Sequence, residues 1–220
     1  MRWPLLDGVP DADVTRLLSI ARRRTFTRGE VVFHEQDPAD TLHLIVKGRF
    51  VVRVATQYGD TAILAVLGPG EMFGELALLE GADARRSATV AAQEAGETRS
   101  VHRIDFDALR NQHPGTAEIL IAILSDQVRR LSRHLVEALY VPADQRVLRR
   151  LVEVAALYAD DGPGETVVPL TQEDLAELAG TSRATVNRVL REAEARGHVR
   201  LGRGRTVVLD PDALATRAAY

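Results

Sequence analysis

The feature that most constrains this chain is the stretch from residue 116 to 140, which contains neither proline nor glycine. Its apolar residues Ala117, Ile121, Leu124, Val128, Leu131, Leu135 and Ala138 are spaced alternately four and three apart. Such spacing puts them on one stripe of a single helix, in the a/d pattern of a helix that packs on a partner helix. Packing on the helix's own domain is the plainer alternative. The texture of the chain differs on its two sides, which sets an N-terminal part apart from a C-terminal part.

The N-terminal part has a different texture. Residues 11 to 24 predict a short helix with Val14, Leu17, Leu18 and Ala21 on one side. From about Phe26 to Phe106, short apolar runs such as LHLIVKGRFVVRV and AILAVLGPGEMFGE are broken by glycine, proline and aspartate. Close-spaced runs with turn residues such as DPAD and GPGE predict an all-β roll, sandwich or barrel.

After the long helix, YVPADQ (Tyr140 to Gln145) is a hinge, with Pro142 suited to the first position of a new helix. Val147, Leu148, Leu151, Val152, Ala155 and Tyr158 mark that helix, and Ala159 to Glu165 reads as a loop. The expected organisation is α+β: a β-rich domain over 1–113, a dimerisation helix and hinge over 114–140, and a C-terminal domain over 141–220.

Composition excludes several classes. Cysteine is absent, which removes disulfides, thiolate nucleophiles and cysteine-ligated clusters. No apolar run is long enough for a membrane span, and Met1 to Pro10 lacks a signal-peptide core, so a cytoplasmic protein is expected. The six histidines form no tight ligand spacing, so no metal site is expected; haem sensing through a histidine stays open. Ser87 with a histidine and an aspartate does not amount to a triad, and no enzyme is expected.

The net charge of −3 argues weakly against nucleic acid, but its distribution argues for it. From residue 183 to 205 the chain carries Arg183, Arg188, Arg191, Arg196, Arg200, Arg203 and Arg205 against only Glu192 and Glu194. Thr171 and Asp174 have capping-box spacing at the start of a short helix that also carries Gln172. Gly180 supplies a turn and Ser182 a second cap. In the next helix, Val186, Val189, Leu190 and Ala193 fall on one side. Arg183, Ala184, Asn187, Arg188 and Arg191 fall on the other, with Thr185 near the first turn. Arginine offers paired donors to guanine, and asparagine can pair with adenine. HVRL, GRGR and TVVL then form a hairpin wing with Arg203 and Arg205 at its tip, placed for phosphate. A solvated basic face is the bland alternative. Helix, turn, polar-faced helix and basic hairpin in this order favour double-stranded DNA.

Three blocks carry a family resemblance. TQEDLAELAGTSRATVNRVLREAEARGHV resembles the helix-turn-helix, VVFHEQDPADTLHLIVKGRFVV the early roll strands, and LGPGEMFGELALLEG with RRSATVAA the phosphate-binding cassette, of the cyclic-AMP receptor protein / fumarate–nitrate reduction (Crp/Fnr) superfamily. The resemblance implies an effector-sensing, cyclic-nucleotide-binding-type β-roll over 1–113, a long dimerisation helix and a C-terminal winged helix-turn-helix over 141–220, in a homodimeric transcription regulator that binds a near-palindromic operator and works with RNA polymerase. It implies no obligatory cofactor, with cyclic AMP, another nucleotide or small anion as effector, or else a vestigial pocket. It assigns base reading to Arg183 and Arg188, with Ala184 standing where many members carry glutamate. It assigns the effector's hydroxyl to Glu75 and its phosphate to Arg86 or Arg85 with Ser87 and the amides of Gly74, Glu75, Leu76 and Ala77. His134 and Leu135 fall where the cyclic-AMP receptor has its base-contacting hydroxyls. A cyclic-nucleotide sink whose winged helix binds protein is the alternative of a different class.

Overall fold

The computed structural model describes residues 2–80, 83–159 and 164–219. It divides into two compact units, Met1–Val54 with Ala65–Arg130, and Ala55–Leu64 with Leu131–Tyr220.

The chain opens with a 3-10 turn, Pro4–Leu6, and α1 (Asp11–Ile20), succeeded by strands β1 (Arg22–Phe26), β2 (Val31–Phe33), β3 (Thr41–Lys47), β4 (Phe50–Ala55), β5 (Thr61–Leu67), β6 (Met72–Phe73), β7 (Thr89–Ala92) and β8 (Gly96–His102). They form two antiparallel sheets, ordered β1-β8-β3-β6 and β2-β7-β4-β5. The helix expected over 11 to 24 is shorter than its pattern suggested. Arg22, Arg23 and Arg24 instead pair with Ser100, Arg99 and Thr98 of β8, because an open sheet edge satisfies their backbone. The expected sheet texture also runs too far. Arg103–Gln112 is a helix, α2, in which Phe106 is fully buried.

Strand β3 shows why the two faces of its sheet differ. Leu42 and Leu44 join the cluster of Trp3, Leu5, Leu17, Phe106, Leu109 and Leu120 beneath the helices. Ile45, one residue out of step, joins Phe26, Phe50, Phe73 and Val90 within the roll. A strand covered on both sides is apolar on both sides, so TLHLIVK lacks clean alternation. His43, a polar residue on that inward side, lies flat against Phe73 with ring centroids 4.9 Å apart.

The long helix α3 spans Gly115–Tyr140. Leu120 is buried, while Ile121, Val128, Leu131 and Leu135 are exposed within the chain.

The second unit contains α4 (Ala143–Tyr158), β9 (Thr166–Val168), α5 (Gln172–Ala179), α6 (Arg183–Ala195), β10 (Val199–Gly202), β11 (Arg205–Val208) and α7 (Pro211–Ala219). Pro142 caps α4 rather than opening it. The loop expected over 159–165 lies partly outside the described residues. The hairpin gains a third strand, in the order β10-β11-β9. Val147, Leu148, Leu151, Leu175, Val186, Val189, Leu190, Ala193, Val199 and Leu214 are buried in this unit.

Candidate functional site

Two sets of side chains stand out, one in each unit. In the first unit, Gly74 precedes a 3-10 turn, Glu75–Leu78, with φ of 79°. A Cβ on Gly74 would lie 2.6 Å from Arg86 Nη1 and 3.0 Å from the Thr41 carbonyl, so glycine is required by space as well as by φ. The Arg86 side chain is buried. Its Nη1 donates to the Thr41 carbonyl at 2.7 Å, and its Nη2 donates to Thr41 Oγ1 at 2.7 Å. The guanidinium carbon lies 4.0 Å from the centre of the Phe33 ring. Among the described residues, Arg86 Nε is a buried donor with no hydrogen-bond partner.

Glu75 is also buried, and burial pushes its carboxyl above the usual range, with Gln127 of α3 acting the other way. Burial, reinforced by Arg86 and Arg24, pushes the His43 imidazole down to about 3, so it is neutral at pH 7. Its Nδ1 lies 3.1 Å from Thr98 Oγ1.

The two neighbouring arginines are handled differently. Arg86 turns inward against Thr41, whereas Arg85 is exposed and its backbone bridges to Pro38. Ser87 and Leu76 are exposed, and Ala77 is buried. A buried guanidinium with an unused donor, a glycine that leaves no side chain in the way, and a buried carboxyl beside it fit an anionic ligand that also carries a hydroxyl. His134 belongs to the second unit, where Arg150 donates to its Nε2.

In the second unit, Thr171 caps α5 in a reciprocal box with Asp174, at 3.1 Å and 2.9 Å. Gly180 ends α5 with φ of 59°, in the left-handed region, and Ser182 caps α6. The turn therefore fixes how α6 leaves α5. On α6, Val186, Val189, Leu190 and Ala193 are buried, while Arg183, Ala184, Asn187 and Arg188 are exposed. Asn187 Nδ2 donates to Gln172 Oε1 at 3.1 Å, tying the two helices across their outer side. Thr171, Gln172, Arg183, Asn187, Arg203 and Arg205 line one cleft of about 540 Å³ between the helices and the wing. A cleft walled by a reading helix, a helix N-terminus and a basic hairpin can grip a nucleic-acid backbone while presenting side chains to base edges.

Residues 23–113 match the cyclic nucleotide-binding domain, and residues 145–217 match the Crp-like helix-turn-helix domain. A CRP-like cAMP-activated global transcriptional regulator of Mycobacterium tuberculosis is 32% identical over 222 residues, covering 99% of this chain and 97% of the relative. This chain belongs to the Crp/Fnr family of transcription regulators.

A cyclic AMP receptor protein of Thermus thermophilus is 35% identical over 217 residues, covering 99% of this chain and 97% of the relative. The crystal structure of the Thermus thermophilus catabolite activator protein covers 98% of both chains at 33% identity and a TM-score of 0.56. A c-di-GMP responsive regulator of Xanthomonas campestris has the same fold, with a TM-score of 0.78 at 23% identity over 91% of this chain and 99% of that one. Membership makes this regulator a DNA-binding protein of a non-enzymatic family. Among the described residues, no helix is long and apolar enough to cross a membrane.

Sequence reasoning did not single out four residues that surround Arg86 and Glu75: Phe33, Thr41, His43 and Gln127. Thr41 and His43 were within reach, since they fall in step with Ile45 on the inward side of β3. Nothing local in the sequence links Gln127 to Glu75.

Proposed function

We propose that this regulator is a homodimer whose β-roll binds a cyclic nucleotide and whose paired winged helices bind a near-palindromic operator. The observation that carries the proposal is Arg86, a buried cation with an unused donor beside the buried Glu75 carboxyl. In that arrangement Arg86 and the backbone at Gly74 to Ala77 hold the phosphate, and Glu75 takes a ribose hydroxyl. Arg85 and Ser87 are exposed. The alternating seam on α3 supports the dimer: Ile121, Val128, Leu131 and Leu135 expose apolar surface that a second copy of the helix would cover.

In the second unit, Arg183 and Arg188 meet base edges, Thr171, Gln172, Ser182 and Thr185 steady the approach, and Arg203 and Arg205 meet phosphate. Ala184 offers a methyl group and no acceptor, so it favours thymine over cytosine at its step. Two-fold symmetry sets half-sites about one helical turn, roughly 34–36 Å, apart. RNA polymerase is the expected further partner.

One experiment tests these points together. Binding sites are selected from random DNA with and without cyclic AMP, alongside sedimentation of the wild type and Leu131→Glu. The expected result is a cyclic-AMP-dependent palindrome bound by a dimer, with Leu131→Glu monomeric and binding weakly. A monomeric wild type, or selection of a single half-site, overturns the dimer. A selection and a melting temperature both indifferent to cyclic AMP overturn the effector.

A further inference from the structure

The side chain of Arg188 is engaged from two directions. Nη1 donates to Glu192 Oε1 at 2.9 Å, an ordinary i,i+4 pair on one helix. Nη2 donates to Asp144 Oδ1 at 2.5 Å, and Asp144 stands 44 residues earlier in the chain. Asp144 lies in the first turn of α4, where the helix dipole favours a carboxylate. The helix itself is anchored by the buried Val147, Leu148 and Leu151. The scaffold, not the reading helix, therefore delivers this carboxylate to the reading helix.

The pairing bears directly on DNA. Reading guanine needs two guanidinium donors on one edge, and here each terminal nitrogen already donates to a carboxylate, which fixes the way the group faces. Guanine offers two acceptors in the major groove, O6 and N7. Adenine and thymine each offer one, and cytosine presents only a donor. A carboxylate at the same place also repels the phosphate backbone. We propose that Asp144 is a specificity-determining residue: it holds Arg188 in an ion pair that guanine displaces and the other bases do not. Specificity then comes from a penalty on wrong bases as much as from the bond to the right one.

The inference rests on Arg188 being a base-reading residue, so the test separates the two. Competition binding and random-site selection are run on the wild type, Asp144→Asn, Arg188→Ala and the double variant. Asp144→Ser, which keeps a residue suited to a helix start, serves as a second version of the first variant. The expected result is that both Asp144 variants bind random-sequence DNA about two- to fivefold more tightly, the span of an exposed ion pair. Their guanine preference at one step per half-site falls by a similar factor, and the double variant behaves as Arg188→Ala alone. If Arg188→Ala keeps every base preference, Arg188 does not read bases and the underlying assignment fails. If Arg188→Ala loses the preference while both Asp144 variants keep it unchanged, Asp144 has no such role. Equal tightening by Asp144→Asn with and without Arg188 reduces its effect to general charge and overturns the inference.

Discussion

Two arginines show how differently the two units handle charge. Arg86 in the β-roll is 5% exposed, held by Thr41 and laid over Phe33. Arg188 on the reading helix has a side chain 52% exposed, held by two carboxylates. Burial pushes the Arg86 guanidinium below its usual range, while the hydrogen bond to Asp144, then that to Glu192, raises Arg188 above its own. A cation kept inside a fold is held by fixed groups and can offer a ligand only the donor they leave unused, as Arg86 does with Nε. A cation kept at the surface can exchange partners at little cost and is suited to meeting a ligand that arrives from water.

The largest expected effect breaks the buried side of this comparison. Arg86→Ala strands the Thr41 carbonyl and hydroxyl and opens a gap against Phe33. It should lower stability by about 3 kcal/mol. Urea unfolding measures this, and a loss below about 1 kcal/mol would mean the guanidinium is dispensable to the fold.

The second effect is a pH dependence in the same unit. Unfolded, His43 titrates at its ordinary 6.5; folded, it titrates at about 3. Between these values the unfolded chain binds a proton that the native state refuses. The stability contributed by neutral His43 is therefore complete above about pH 6.5 and declines as pH falls toward 3, by about 2 kcal/mol at pH 5. Glu75 acts in the opposite sense, because its raised folded value makes acid favour the native state. The informative quantity is thus the difference between wild type and His43→Gln, compared at pH 7 and pH 5. The variant should lose less stability on acidification, and parallel losses would refute the assignment.

The smallest effect sharpens the exposed side. Arg188→Ala should leave the urea midpoint of the protein unchanged while relaxing guanine preference at one step of each half-site. A fall in stability comparable to that of Arg86→Ala would erase the contrast between the two arginines.

Much of this was legible without coordinates. Local chemistry determined α3, since a run with no glycine or proline and with apolar residues four and three apart has few ways to bury them. Local chemistry also determined the helix-turn-helix. The Thr171–Asp174 box, Gly180 and Ser182 are start and stop signals whose partners lie within four residues, and the structure realises each of them. The wing was equally plain, because β10 and β11 are adjacent in sequence.

Tertiary structure decided what depends on distant partners. Nothing local makes Arg22 to Arg24 leave the helix pattern; β8, more than seventy residues away, supplies the reason. Arg85 and Arg86 are the same residue type side by side, and only the chain's alternation between inside and outside separates them. Gln127 reaches Glu75, Thr41 holds Arg86, and Asp144 reaches Arg188 across spans of chain that carry no local signal. Periodicity and capping are short-range and therefore visible in a string of residues. Which charges end up buried together is a property of packing, and packing is set by the whole chain at once.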